Sequence, residues 1–331
     1  MFLLAGLMGL MAVSAVAYVE ITSEEEPDDD NAEAQQQLAE ESSDKPVIDL
    51  ITGTDMNDVL SGSDGMDRIA GGEGDDLLSG DKGDDEARGG TGNDVLAGGA
   101  GNDSLHGDDT LLGGDADDWL AGHNGADTLD GSAGNDTMQG SADDDLLFGG
   151  AGDDALQGGL HDDTLSGGLG EDVLFGGWGD DVIDGLFLEA PDIDATTDAS
   201  PTPDLADIDQ GDFLNGGGGA DTILAGNDDT VTAGTGADDI ILGEWLNSGQ
   251  QAQILDYEPQ EDSILFVWDD SQDAAEEPDV RLAPDPENAG QLQVWMGDSM
   301  VAQIGGDSPL EDANIALIPL SAMQGLGLAA A

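Results

Sequence analysis

The residues of this chain that could do chemistry are carboxylates at a fixed pitch. Asp recurs every nine residues at Asp58, Asp67, Asp76, Asp85, Asp94 and Asp103, and again at Asp118, Asp127, Asp136, Asp145, Asp154, Asp163, Asp172 and Asp181. A paired carboxylate can serve as acid and base. A long regular series with little nitrogen or sulfur beside it is instead the donor set of a hard divalent cation. Cys is absent, which excludes disulfides, thiolate zinc sites and a cysteine nucleophile. The three His are His106, His123 and His161; no HExxH helix, GxSxG elbow or phosphate loop ending in Lys occurs. The reading is therefore non-enzymatic, with no catalytic residue assigned.

The elements that must position these carboxylates follow from the repeat itself. From Gly53 to Asp184 the chain divides into fourteen nine-residue units beginning with Gly, plus one six-residue unit, Gly107 to Leu112, that resets the phase. The sixth residue of every full unit is Asp and the eighth is apolar, from Leu60 and Ile69 to Leu174 and Ile183. The fourth is Gly except at Met56, Ala116, Asp143 and His161, where weak or missing cation sites are expected. Helical spacing is absent. The pattern predicts a turn over positions one to six and a short strand over seven to nine, with the eighth side chain inward. Nine residues reverse the chain and eighteen complete a coil. Glycines let the turn aim main-chain carbonyls, such as those of Gly72, Gly74, Gly90, Gly92, Gly99, Gly101, Gly150, Gly152, Gly168 and Gly170, at the spot faced by the sixth-position Asp.

Stacking then places like over like. Carboxylates about 4.8 Å apart repel by roughly 3.5 kcal/mol at an effective dielectric of 20. One apolar side chain per half-coil contributes about 2 kcal/mol, against at least six loop residues to order at about 1 kcal/mol each. The metal-free array is expected to be unfolded, and a cation between turns to reverse the sign. All-oxygen ligation selects calcium, several ions of it, over magnesium, which demands a tight octahedron.

GGTGNDVLA (89–97), GGAGNDSLH (98–106) and GGLGEDVLF (167–175) fit the nonapeptide GGxGxDxUx, and on these motifs the chain resembles the RTX, or hemolysin-type, calcium-binding repeat proteins. The resemblance covers 53–184 strongly and about 209–241 more weakly. It implies an all-β fold, a right-handed parallel β-roll with calcium between turns, and export by a type I secretion apparatus that reads an uncleaved C-terminal signal.

The organisation is read as follows. Residues 1–19 are uncharged apart from the amine and span about 28 Å as a helix, which suits a membrane tether or a secretory signal. Residues 20–44 form an acidic linker. The first array covers 45–185, with a strand from Val47 to Ile51. A Pro-containing, Gly-free loop follows at 186–208, and a second array at 209–242 with Asp212, Asp221, Asp229 and Asp238 in the sixth-position role; the roll is expected to continue across the insertion. A β-rich cap at 243–331 has strands at Ile264–Trp268, Gln291–Met296 and Met300–Ile304, and its apolar end, Ile315 to Ala331, could carry a secretion signal. Five Lys and Arg against 75 Asp and Glu leave a formal charge of −70, which excludes a nucleic-acid partner. The favoured function is a secreted, extracellular calcium-binding protein that folds on meeting outside calcium. The alternatives are a surface adhesin or spacer using its C-terminal domain, and an RTX-linked hydrolase or epimerase with an unrecognised site in 243–331.

Overall fold

The computed structural model describes residues 49–107, 109–186, 211–243, 245–246, 251–268, 270, 277–288, 290–306 and 315–323, all within the unit Pro46–Ala331. The expected N-terminal helix, the acidic linker and most of the 186–208 loop lie outside the described residues. Among the described residues no helix is long and apolar enough to cross a membrane.

The described residues form a parallel β-solenoid. Successive strands alternate between two sheets, of fourteen and twelve strands. In the first sheet Ile69 pairs with Ala87 and Ala87 with Leu105; in the second Leu60 pairs with Leu78 and Leu78 with Leu96. Each coil is thus two nine-residue units. The eighth-position side chains face each other in the interior, where Leu78, Leu96, Leu105, Leu120, Leu129, Leu147, Leu165 and Leu174 are wholly buried. The six-residue unit shortens one coil to fifteen residues, so that Leu96 pairs with Leu111 and Leu105 with Leu120. Leu111 still reaches the core.

One expectation is corrected. The turn does not occupy six positions. Typical strands run six residues, as in Leu77–Lys82 and Thr164–Leu169, and include positions one to three of the following unit. Only positions four to six turn. The cause is the glycine pair. Gly72 has φ +125°, and a Cβ there would strike the Thr54 carbonyl of the preceding coil. Without one, strand pairing steps over Gly71 and resumes between Gly72 and Gly90.

The roll continues across the insertion: Val173 pairs with Phe213, and Val182 with Thr222. Both sheets also run on into the C-terminal part. Val231 pairs with Ile254 and Ile254 with Ile304 in one; Ile240 pairs with Ile264 and Ile264 with Ile315 in the other. The first sheet then ends in an antiparallel meander of Val280–Pro284, Leu292–Met296 and Ser299–Ile304. Leu320–Met323 forms one helical turn after the last strand.

Candidate metal centre

Each sixth-position Asp closes a turn and stands at or just before the first residue of a strand, so its main chain is fixed by sheet pairing and its carboxylate is held at the coil's flank. The backbone N–H of one Asp donates to Oδ1 of the Asp one coil on. On one flank this links Asp67 to Asp85 at 2.7 Å, Asp85 to Asp103 at 2.8 Å, Asp103 to Asp118 at 2.6 Å, Asp118 to Asp136, Asp136 to Asp154, Asp154 to Asp172 and Asp172 to Asp212. The other flank links Asp58 to Asp76, Asp76 to Asp94, then Asp127 to Asp145, Asp145 to Asp163, Asp163 to Asp181, Asp181 to Asp221 and Asp221 to Asp238. The sequence-predicted aspartates therefore do stack in two columns.

In eleven of these aspartates Oδ1 is accounted for and Oδ2 is not. In Asp76, Asp85, Asp103, Asp118, Asp136, Asp145, Asp154, Asp163, Asp181, Asp221 and Asp238, Oδ2 is buried and receives no hydrogen bond. Its surroundings explain the first-position glycine. A Cβ on Gly71 would collide with Oδ2 of Asp76 and lie 2.6 Å from the carbonyl oxygen of Gly89, one coil on. Gly98 repeats the arrangement with Asp103 and the Gly113 carbonyl, and Gly113 with Asp118 and the Gly131 carbonyl. Two acceptors thus converge on one spot beside a bare α-carbon. Leaving a buried acceptor unsatisfied costs about 1–3 kcal/mol, more when it is charged. A cation satisfies both oxygens at once, so the residues fit a hard metal ion.

The electrostatics carry the same strain. Burial pushes the carboxyl of Asp154 up to about 8, with Asp172, Asp136 and Asp153 adding like charge and the Asp136 N–H pulling the other way. Burial likewise raises Asp118, Asp163 and Asp238 to about 7, and Asp103, Asp145, Asp181 and Asp221 to about 6. In these eight, burial disfavours the charged form. Three basic side chains, Arg68, Lys82 and Arg88, are engaged in exposed ion pairs with Glu86 and Asp64.

The ends of the columns differ. Oδ2 of Asp58 accepts Thr54 N–H at 2.7 Å, and Oδ2 of Asp67 accepts Ser63 N–H at 2.7 Å; Oδ2 of Asp229 accepts Gly226 N–H. In these three the protein supplies a donor where the eleven turns named above supply none. Of the carbonyls named from sequence, those of Gly72, Gly74, Gly99, Gly150 and Gly152 stand where a Cβ on Gly90, Gly92, Gly114, Gly168 and Gly170 would be. The oxygen beside Oδ2 belongs to the first-position residue of the next coil. Its signal in the sequence was the invariance of that glycine from unit to unit.

Two further features escaped the sequence reading. A second, exposed ladder runs at the fifth position in the opposite sense: Asn93 N–H donates to Asp75, Asn102 to Asp84, Asn135 to Asp117 and Asp180 to Asp162. The inner columns also reach past the repeats, from Asp49, whose N–H lies 3.3 Å from Asp67 Oδ1, to Asp262, which accepts Asp238 N–H. Among the described residues no three His, Asp or Glu side chains gather as one metal centre. Each candidate nest is one buried carboxylate oxygen with main-chain carbonyl.

The family described as RTX calcium-binding nonapeptide repeat (4 copies) matches residues 52–87, 80–108, 107–138, 130–160, 157–187 and 209–240, just over half of the 331 residues. No curated protein matches the chain.

Proposed function

The chain belongs to the RTX calcium-binding repeat family, and from that premise we propose that it is a secreted, extracellular, non-enzymatic protein whose solenoid forms when calcium enters the turns. Calcium binding is what the repeats imply; the location, the coupling to folding and the ligands are the proposal. The observation that carries it is the set of buried Oδ2 atoms without a hydrogen-bond donor. Asp76, Asp85, Asp103, Asp118, Asp136, Asp145, Asp154, Asp163, Asp181, Asp221 and Asp238 would hold the ions through Oδ2, with the first-position carbonyl of the next coil as partner. Asp94, Asp127, Asp172 and Asp212 stand in the same columns. Asp58 and Asp67, already served by Thr54 and Ser63, would bind most weakly.

A ligand that binds the folded chain alone stabilises it by mass action. Extracellular modules work at about 0.1–1 mM calcium, so the chain would stay unfolded at low calcium, pass an exporter of the type I class, and fold outside. The test is a calcium titration of the full chain by circular dichroism. Coil in chelator and cooperative gain of β-signal near millimolar calcium are expected. A β-spectrum indifferent to chelator in low-salt buffer at neutral pH would overturn the coupling.

A further inference from the structure

The repeat is phase-perfect in its first array except at one coil, and two of the three histidines meet there. The six-residue unit removes the first-sheet residues that would follow Ser104–His106. Pairing from Glu86–Thr91 onto the next strand stops at Arg88–His106, and from there onto Trp119–Asn124 it stops at His106–Ala121. Positions two and three of the flanking coils, Gly90 and Thr91 on one side and His123 and Asn124 on the other, therefore have no strand partner in the coil between. His123, whose strand pairing runs forward to Ser141, turns its ring back to His106. His106 Nδ1 and His123 Nε2 lie 3.4 Å apart, with the ring planes 11° from parallel.

The pair is held in place. Trp119 packs edge-on against His106 at 4.6 Å between ring centroids. Ser104 Oγ lies 3.4 Å from His106 Nε2, so an Nε2–H donated to Ser104 leaves the Nδ1 lone pair facing His123. A hydrogen bond from the second ring nitrogen is how proteins orient a ligating imidazole. Burial, with Arg88 and His123 nearby, keeps His106 below its ordinary pKa. His123 also occupies a second position where most other units carry a left-handed glycine, and it adopts φ +81° itself. A non-glycine residue there is strained by about 1–2 kcal/mol, and strain of this kind is a pointer to function.

We propose that His106 and His123 form a two-imidazole site for a late first-row transition-metal ion of the zinc or copper class, distinct in chemistry and place from the oxygen nests of the turns. Two nitrogens about 2.0–2.1 Å from one tetrahedral ion are themselves about 3.3 Å apart, which matches the observed separation without backbone movement. The exposed His123 ring needs only to turn so that its lone pair meets that of His106 on the ion. Among the described residues no third His, Asp or Glu gathers at the pair, and water completes the shell. Imidazole nitrogen favours these metals where calcium favours carboxylate and carbonyl oxygen, so saturating calcium leaves the site available.

The test is a Zn2+ titration of the full chain in saturating calcium, followed by NMR of the imidazole carbon-bound protons, a sparse set with three His in the chain. His106 and His123 signals are expected to move together at one equivalent while His161 stays still. His123→Gly restores the residue that most other units carry at that position, which protects the fold, and should weaken this binding at least about tenfold; His106→Gln should do the same. His161→Gln should leave it unchanged. Zn2+ that shifts none of the imidazoles, shifts all three alike, or binds His123→Gly as tightly as the parent would overturn the assignment.

Discussion

The repeat array and the C-terminal segment share the same two sheets but are held together by different means. In the array each half-coil buries one side chain, such as Leu129 or Leu147, beside a carboxylate. Beyond residue 240 the interior thickens. Ile241, Leu242, Trp245, Leu246, Tyr257, Phe266 and Val267 are buried, and Trp245 Nε1 donates to the Ala225 carbonyl at 2.9 Å. The acids differ as well. Asp262 uses both oxygens, accepting Asp238 N–H on one and Glu258 N–H on the other. Asp285 accepts Glu287 N–H and the Asn288 side-chain amide, and these bonds, Asn288 first, hold it below the usual carboxylate range. Eleven column acids of the array, Asp76 and Asp154 among them, sit with one oxygen unserved. Apolar area stabilises the C-terminal coils directly, whereas the array depends on a cation from outside.

The largest effect should appear when that cation is removed. In chelator at pH 8, amide hydrogen exchange should become fast across 53–240 while Ser263–Trp268 and Ser299–Ile304 keep measurable protection. Acid should then partly replace the metal. The folded-state pKa of Asp154 stands at about 8 and those of Asp118 and Asp163 at about 7, above the unfolded value of about 3.9. A raised folded pKa means that the folded chain binds protons more tightly. The penalty is full above pH 8 and shrinks as pH falls from 8 toward 4. Exchange protection in the metal-free array should therefore rise on acidification through pH 6, with little change in the C-terminal strands. Protection lost first from 263–304, or an array that loosens further with acid, would break the contrast.

A smaller effect separates the regions at single glycines. Gly71→Ala places a methyl where Asp76 Oδ2 and the Gly89 carbonyl converge, whereas nothing lies within 4 Å of a Cβ at Gly290, whose φ is +97°. Gly290→Ala should cost only left-handed backbone strain, about 1–2 kcal/mol, and leave the calcium midpoint in place. Gly71→Ala should cost about 1–3 kcal/mol from overpacking and also shift that midpoint upward, because the methyl occupies the nest. Thermal denaturation at two calcium concentrations distinguishes them. Equal calcium midpoints in the two variants would mean that the nest beside Asp76 takes no ion.

How much of this was legible follows from where the period holds. Asp and Leu at fixed offsets gave the coil of eighteen residues, the inward column from Ile69 to Ile183, and the rejoining of Val173 with Phe213 across the insertion. The length of the strands was hidden because Gly72 carries no side chain to alternate; only its positive φ and the carbonyl it meets reveal that pairing continues. The same blankness hid the Gly89 carbonyl as the neighbour of Asp76. Past residue 243 the nine-residue beat is lost, so the parallel alignment of Ile254 with Ile304, fifty residues on, could not be read. The histidine pair was invisible for another reason: His106 and His123 hold different repeat positions, and only the three-residue deletion between them makes them neighbours.

The smallest prediction concerns turns that lost their glycine yet kept its conformation. Ala116 and His161 stand at the fourth position with φ +84° and +79°. For Ala116 the methyl is exposed, and its backbone N–H donates to Ala133 as a glycine would. Ala116→Gly should relieve about 1–2 kcal/mol of left-handed strain, offset by about 0.5–1 kcal/mol of added chain entropy in the unfolded state, for a net gain of about 0–1.5 kcal/mol. His161 has more to lose, since its Nδ1 accepts Asp143 N–H at 3.1 Å; the bond is worth about 0.5–1.5 kcal/mol, so His161→Gly should be nearly neutral. Denaturant titrations in saturating calcium should rank Ala116→Gly above the parent chain and His161→Gly beside it. An equal gain in both variants would show that the cross-coil imidazole bond contributes nothing and that the strain, not the hydrogen bond, sets the stability of these two turns.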